Sequence, residues 1–318
     1  HLSIRRQRQM CIRDRAYIAS MFEKLHRTQI IDCIAEDLDV LHTLTRIEKF
    51  NPDIVGISAF TPTFHLALKL AKLTKELLPS TIIVLGGIHP TIFPEQVLEN
   101  KEVDFVILGE GEYSFRDFIS SFKDRERLKN IFGLAYRSGG EVVINPPIPI
   151  KNLDDLPFPA RHLLPMSKYG PFIAKERPAL SLISSRGCPE QCTFCSRDIS
   201  GSRYRVQSPE SVIQEIKILV ERYGAKEVDF QDPVFGLNSS WTKEFCQQLI
   251  DENLDVVWSA LTRIDLVNSE LLKLMKKSGC WMLYYGIEAG NQTLLDNIKK
   301  NTTLPEIKLS VQLARKVG

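Results

Sequence analysis

Two hydrophobic periods alternate along the chain. "AYIASMFEKL" (16–25), "DVLHTLTRIEKF" (39–50) and "FHLALKLAKLTKELL" (64–78) carry apolar residues at helical spacing. "QIIDCIAE" (29–36), "DIVGISAF" (53–60), "TIIVLGG" (81–87) and "DFVILGEGE" (104–112) are short β-rich runs, the last two reaching glycines. Strands alternating with helices predict a parallel sheet covered on both faces, with ligands beyond the carboxyl ends of the strands. Ser58, Gly86, Gly87 and Gly109 fall at those ends. "IFGLAYRSGGEVVINPP" reads as a hairpin around Gly139-Gly140. The proline-rich stretch 145–178, with "DLPFPARHLLP", follows as a stiff connector, because proline fixes φ and lacks an N–H.

A second alternating series starts at Ala179. "ALSLISS", "KEVDFQD", "VVWSALTRIDL" and "WMLYYGIEAG" read as strands. Between them lie helices, the first opening at Ser208-Pro209 with a cap residue and a proline at its first position. Val212, Ile213, Ile216, Val220 and Tyr223 form its apolar stripe, and Gly224 closes it. Four βα units can be counted, against the eight of a full barrel.

The expected architecture is α/β: a flavodoxin-like (Rossmann-like) domain followed by a partial TIM-type (βα) barrel. A flavodoxin-like sheet has five strands with the first in the middle. Only four are countable here, so the opening strand is expected to be missing and the chain to be a fragment. The expected boundaries are a leader at 1–15, an α/β domain at 16–130, a hairpin and proline-rich linker at 131–178, and the truncated barrel at 179–318. The leader "HLSIRRQRQMCIRDR" has five arginines and no sustained period. It reads as non-native sequence, with a basic nucleic-acid arm as the alternative.

Composition changes this picture little. The 318 residues are 43% apolar and 25% charged, with a formal charge of +2. That balance is globular and implies no polyanionic partner. No apolar run is long enough to span a membrane, and no secretory signal is evident. The seven cysteines are unevenly spread, which favours metal ligation in a reducing compartment, the cytoplasm, over a disulfide framework.

Three of the seven, Cys188, Cys192 and Cys195, follow a C-x3-C-x2-C spacing after a predicted strand. Thiolates are the usual ligands of iron–sulfur clusters. Three can hold three corners of a [4Fe–4S] cube and leave the fourth iron open, which explains the odd number. Gly187 and Pro189 suit a loop wrapped round a compact cluster, and Phe194 is placed to shield it. The alternatives are a zinc site completed by a distant His or Cys, or three unligated thiols.

C-x3-C-x-F-C ahead of βα repeats resembles the radical S-adenosylmethionine (SAM) superfamily, over about 179–318. The resemblance implies that SAM chelates the open iron and that reductive cleavage gives a 5′-deoxyadenosyl radical. It also implies that Asp232 in "VDFQDPVF" lies near the SAM amino group and that Glu288 in "YYGIEAGNQTLL" binds the ribose hydroxyls. Arg263 in "SALTRID" is expected to pair with a carboxylate. The bland alternatives are turn chemistry for Asp232, a surface pair of Arg263 with Asp265, and a helix cap for Glu288.

"LGGIHPTIFPEQVLENKEVDFVILGEGEYSFRDF" resembles the cobalamin-binding domain that precedes many radical SAM barrels, over about 16–128. On that resemblance Gly86 and Gly87 let backbone approach cobalamin, Ser58 and Thr61 bond its nucleotide tail, and His89 contacts it. The D-x-H-x-x-G pattern of histidine-ligated cobalamin proteins is absent. His89 as a satisfied loop histidine is the alternative. Glu110 and Glu112 read either as substrate contacts or as interface residues. The implied function is a cobalamin-dependent radical SAM enzyme, a methyltransferase acting on an unactivated carbon. The rivals are a radical SAM enzyme without methyl transfer (cyclisation or rearrangement) and a zinc-stabilised, non-enzymatic binding module. A small-molecule, lipid or peptide substrate and an electron donor such as flavodoxin or ferredoxin are the expected partners, with no nucleic acid.

Overall fold

A computed structural model describes residues 15–171 and 173–318. The reading of the leader and the placement of Cys11 lie outside the described residues, apart from Arg15. Residues 15–20 are helical, as the pattern 16–25 predicts for its first half.

The first sheet has five strands in the order β1 (Ile54–Ser58), β2 (Ile82–Gly86), β3 (Phe105–Ile107), β4 (Leu134–Ser138) and β5 (Glu141–Ile144). The first three are parallel, with Ser58 opposite Gly86 and Val84 opposite Phe105. Alternation along β2 sorts its side chains onto two faces. Ile83 and Leu85 join Ala67 and Ala71 of α2 (Phe64–Leu77) in one core. Val84 joins Phe118 of α3 (Gly111–Ser121) in the other. The helix predicted at 39–50 is α1 (Val40–Phe50), with the Asp39 side chain accepting from the His42 N–H at its N-terminus.

Two departures from the sequence reading stand out. Residues 29–36 form no strand. Asp32 accepts from the Ile34 and Ala35 N–H groups at 3.1 and 3.0 Å, which closes a turn inside the apolar run. The run is held by its side chains instead, with Ile30 in a small core beside Ala160 and Leu164 of the connector. The hairpin, in turn, is part of the first sheet. β4 pairs antiparallel with β3, Phe105 opposite Tyr136, and the two-residue turn Gly139-Gly140 has φ of 61° and 89°, the left-handed pair such a loop requires.

The second sheet is four parallel strands in the order β6 (Ala179–Leu182), β9 (Glu227–Phe230), β10 (Val257–Thr262) and β11 (Cys280–Tyr285). On one face Val228 and Phe230 pack under α4 (Pro209–Tyr223), α5 (Ser239–Asp251) and α6 (Ser269–Lys277). Trp258 is fully buried there, 5.3–5.7 Å from the rings of Phe230, Phe235 and Phe245, and its Nε1 donates to Ser278 O. Each such ring pair contributes about 0.5–1.5 kcal/mol beyond area burial. The other face of β9 is polar: Asp229 accepts from Ser259 Oγ at 2.9 Å and from Gln231 Nε2.

Between β6 and α4 a short ribbon, β7 (Ser185–Arg186) with β8 (Arg205–Val206), sets Arg186 opposite Arg205 and closes off the loop 187–204 that carries the three cysteines. After β11 come α7 (Gln292–Asn297) and α8 (Leu304–Val317). No helix among the described residues is long and apolar enough to cross a membrane.

Candidate functional site

The cysteine loop starts beyond the carboxyl end of β6, the face at which parallel sheets bind ligands. Gly187 opens it at φ +79°, where an added Cβ would lie 2.1 Å from Arg203 O, so only glycine fits that crossing. Cys188 N–H donates to Gly201 O, Cys195 N–H to Cys192 O, and Thr193 N–H to Ile298 O. Cys188 and Cys192 are half-buried and Cys195 is exposed, all three as free thiols. Burial, then the nearby Cys188 and Cys192 sulfurs, push the Cys195 thiol up, so the three side chains feel one another. Yet among the described residues no group of three ligating side chains closes on a single metal-ion position. Three thiols that feel one another on a single loop are a ligand set that fits an iron–sulfur cluster, whose ligands stand on separate irons.

Around the loop the structure gathers the three acidic and basic residues singled out above, though not all in the expected manner. Asp232, just past β9, is buried. Its carboxylate accepts from the Ser184 N–H at 2.7 Å, Ser184 Oγ at 2.5 Å and Ser185 Oγ at 2.8 Å. Burial raises its pKa to about 6 against those hydrogen bonds. Asp232 thus ties the end of β9 to the root of the cysteine loop. Arg263 is 7% exposed and is no surface residue. It forks onto Asp265 with two 2.9 Å bonds, and its Nη1 lies 3.0 Å from Glu190 Oε2 inside the cysteine loop. Glu288 caps no helix: Asn291 caps α7. Glu288 has φ +66°, an uncommon left-handed conformation for a residue with a Cβ, and Lys300 Nζ lies 3.0 Å from its Oε1. Gly286 makes room for that pair, because a Cβ there would come within 2.7 Å of Glu288 Oε1 and 3.0 Å of Lys300 Nζ. The Phe194 ring is 57% exposed, with Lys300 Nζ 6.0 Å above it, so it gives the loop little of the shielding expected of it.

Several residues here escaped the sequence reading. Glu190 within the loop is gripped from the far end of the chain by Asn301 (Nδ2 to Glu190 Oε2, 3.3 Å), and Lys300 lies over Phe194 beside it. The one available signal was the "KKN" run twelve residues past Glu288, which reads as a solvated helix end.

The second cluster lies at the carboxyl end of the first sheet. Ser58 and Gly86 are register partners there. Gly87 has φ +97°, and a Cβ on it would meet Ala59 O at 3.0 Å and Ser58 Oγ at 3.1 Å. Thr61 Oγ1 lies 3.2 Å from His89 Nδ1. The His89 ring is held between Phe64 and Phe93, centroids 4.1 and 5.2 Å away, and is 4% exposed. Its Nε2 is buried without a partner, so His89 is not a satisfied loop histidine. Desolvation depresses its pKa and keeps it neutral. A neutral, orphaned ring nitrogen beside small residues at a ligand-binding sheet edge fits a polar organic cofactor.

Glu110 and Glu112 are resolved as interface residues. Glu110 pairs with Arg205 and Glu112 with Arg186, the register partners at the root of the cysteine loop.

Comparison with known proteins gives two family matches. Residues 13–119 match the B12 binding domain and residues 182–318 the Radical SAM superfamily. An uncharacterized methyltransferase of Pyrococcus horikoshii is 39% identical over 306 residues, 95% of this chain and 66% of that protein. The anaerobic magnesium-protoporphyrin IX monomethyl ester cyclase of Rubrivivax gelatinosus is 32% identical over 313 residues, 95% of this chain and 56% of that protein. The chain therefore spans between half and two thirds of the length of these relatives. The structure of OxsB, a cobalamin-dependent SAM radical enzyme with aqua-cobalamin and SAM bound, superposes with a TM-score of 0.84 at 22% identity, covering 95% of this chain and 45% of that one. At that identity the likeness shows the fold.

Proposed function

Because this chain belongs to the radical SAM superfamily, in the subgroup that carries a cobalamin-binding domain, we propose that it is the cofactor-binding portion of a cobalamin-dependent radical SAM methyltransferase. The observation that carries the proposal is the pairing of a three-thiol loop, braced by Asp232, Glu190 and the Glu288–Lys300 pair, with an orphaned His89 nitrogen at a separate sheet edge. When bound, the cluster supplies the electron that cleaves SAM, and cobalamin supplies the methyl group for an unactivated carbon.

The chain's own residues have distinct parts in this reading. Cys188, Cys192 and Cys195 would be the thiolate ligands of the cluster, and SAM would bind where they leave it open. Glu288 would accept from the ribose hydroxyls of SAM, with Lys300, which is 8% exposed and 3.0 Å from its carboxylate, holding it in place. Arg263, through Glu190, holds the loop in place more than it binds SAM. Asp232 does the same through Ser184 and Ser185. At the first sheet, Gly86, Gly87 and Ser58 leave a close backbone approach to cobalamin, and Thr61 orients His89 so that Nε2 can meet it. The six free thiols among the described residues suit a reducing compartment such as the cytoplasm, where an electron donor of the flavodoxin or ferredoxin kind is available.

A second reading keeps the barrel chemistry without methyl transfer, and the resemblance to a cyclase favours keeping it open to test. Anaerobic incubation with SAM, reductant and candidate substrate separates the two. Methyl transfer gives S-adenosylhomocysteine along with 5′-deoxyadenosine; the second reading gives 5′-deoxyadenosine alone.

A further inference from the structure

We infer that Glu110 and Glu112 are positioning residues: they clamp the root of the cysteine loop to the ligand-bearing edge of the first sheet, so that the two cofactor sites keep one fixed spacing. The inference rests on the cofactor reading above, but its geometry does not.

Glu110 and Glu112 flank the start of α3, directly after β3 and Gly109, on the edge that also presents Ser58 and Gly87. Arg205 Nη1 and Nη2 reach Glu110 Oε2 and Oε1 at 2.7 and 2.8 Å, a two-bond fork. The same guanidinium donates to Ile150 O of the connector and to Ser200 O of the cysteine loop at 2.6 and 2.7 Å. Glu110 Oε2 also accepts from the Ile150 N–H at 2.8 Å. Arg186 Nη2 reaches Glu112 Oε1 at 2.6 Å, and its Nη1 lies 3.6 Å from Glu110. One carboxylate pair therefore ties together the first domain, the connector and both strands at the loop's root.

Three features make this more than general stabilisation. All four side chains are at most 11% exposed, so solvent does not screen them as it does surface pairs. The ribbon they grip has only two residues per strand, too short to fix its own direction. And the loop's other braces, Glu190 with Arg263 and Thr193 with Ile298, all come from the barrel side. Among the described residues, Glu110 and Glu112 supply the first domain's charged hold on the loop's root, beside the Tyr17 ring 5.4 Å from the Arg186 guanidinium. Gly109 lets the two come close, its position for a Cβ lying 3.0 Å from Pro147 and 3.8 Å from Ile199 O.

The test uses hydrogen exchange of the chain without cofactors and electron paramagnetic resonance of the loaded protein. Glu110→Gln should speed exchange in 187–204 by at least about tenfold, since removing one partner strands a buried charge, while β9 and β10 keep wild-type protection. Glu112→Gln should have a smaller effect. Arg205→Lys, which keeps the charge and loses the fork, should fall between wild type and Glu110→Gln, and it carries the test if Glu110→Gln does not fold. In loaded protein, the magnetic coupling between reduced cluster and cob(II)alamin should change in the Gln variants at unchanged iron and cobalt content. Exchange and coupling identical to wild type in Glu110→Gln and Arg205→Lys would overturn the inference. If wild type takes up neither iron nor cobalt, the cofactor reading fails, and the exchange data still decide whether the clamp exists.

Discussion

Asp232 accepts three hydrogen bonds from Ser184 and Ser185, forty-eight and forty-seven residues earlier in the chain, and does so fully buried. This contact joins the second barrel strand to the root of the cysteine loop, and it gives the protein a pH signature. The folded-state pKa of about 6 lies above the ordinary aspartate value of 3.8. The folded state therefore holds the extra proton between these values, and stability falls as pH rises from about 4 to about 6. The size is about 3 kcal/mol at 1.36 kcal/mol per pH unit. Asp232→Asn keeps an acceptor for the Ser184 N–H and removes the titration. Urea unfolding at pH 4 and pH 6.5 should show that slope in wild type and lose it in Asp232→Asn.

Glu288 combines a carboxylate paired with Lys300 and a left-handed backbone. Glu288→Gln leaves that backbone unchanged and keeps an oxygen acceptor for Lys300 Nζ, so thermal stability should change by no more than about 1 kcal/mol. SAM affinity, measured by calorimetry on cluster-loaded protein, should drop at least about tenfold, the equivalent of about 1.4 kcal/mol. A fall in both together would assign Glu288 to folding alone.

His89 offers a similar split at the other site. His89→Phe keeps a ring between Phe64 and Phe93 and removes the orphaned Nε2, whose burial without a partner costs about 1–3 kcal/mol. The chain without cobalamin should be as stable or more so, and cobalamin retention on gel filtration should weaken by at least about tenfold. Unchanged retention would remove His89 from the cobalamin site.

The cysteines divide by surroundings. Cys246 and Cys280 are buried in the barrel core, and burial holds both thiols up, the first to about 11. Their replacement by alanine should cost packing energy and leave iron content unchanged. Alanine at Cys188, Cys192 or Cys195 should abolish cluster assembly with little effect on the secondary structure seen by circular dichroism.

What the sequence made legible follows from locality. The stripe Val212, Ile213, Ile216 and its caps Ser208 and Gly224 define α4 within one segment, and the structure agrees to the residue. Gly139-Gly140 announced its hairpin for the same reason. The three cysteines declared themselves by spacing alone. Charged contacts between distant segments left no such trace: Glu110 with Arg205 spans 95 positions, and nothing local to Glu110 decides between a substrate contact and an interface residue. Lys300 was missed on the same ground. The strand expected at 29–36 failed because Asp32 turned the backbone locally, a competition that β-branched content does not register.

The central claim is that Cys188, Cys192 and Cys195 hold a [4Fe–4S] cluster with one iron free for SAM. Electron paramagnetic resonance of the anaerobically reconstituted, dithionite-reduced chain, recorded with and without SAM beside iron and sulfide analysis, tests it most directly. Equal iron and sulfide, with a spectrum that shifts when SAM is added, is the predicted result. A colourless protein holding zinc at the loop, silent before and after SAM, would contradict it.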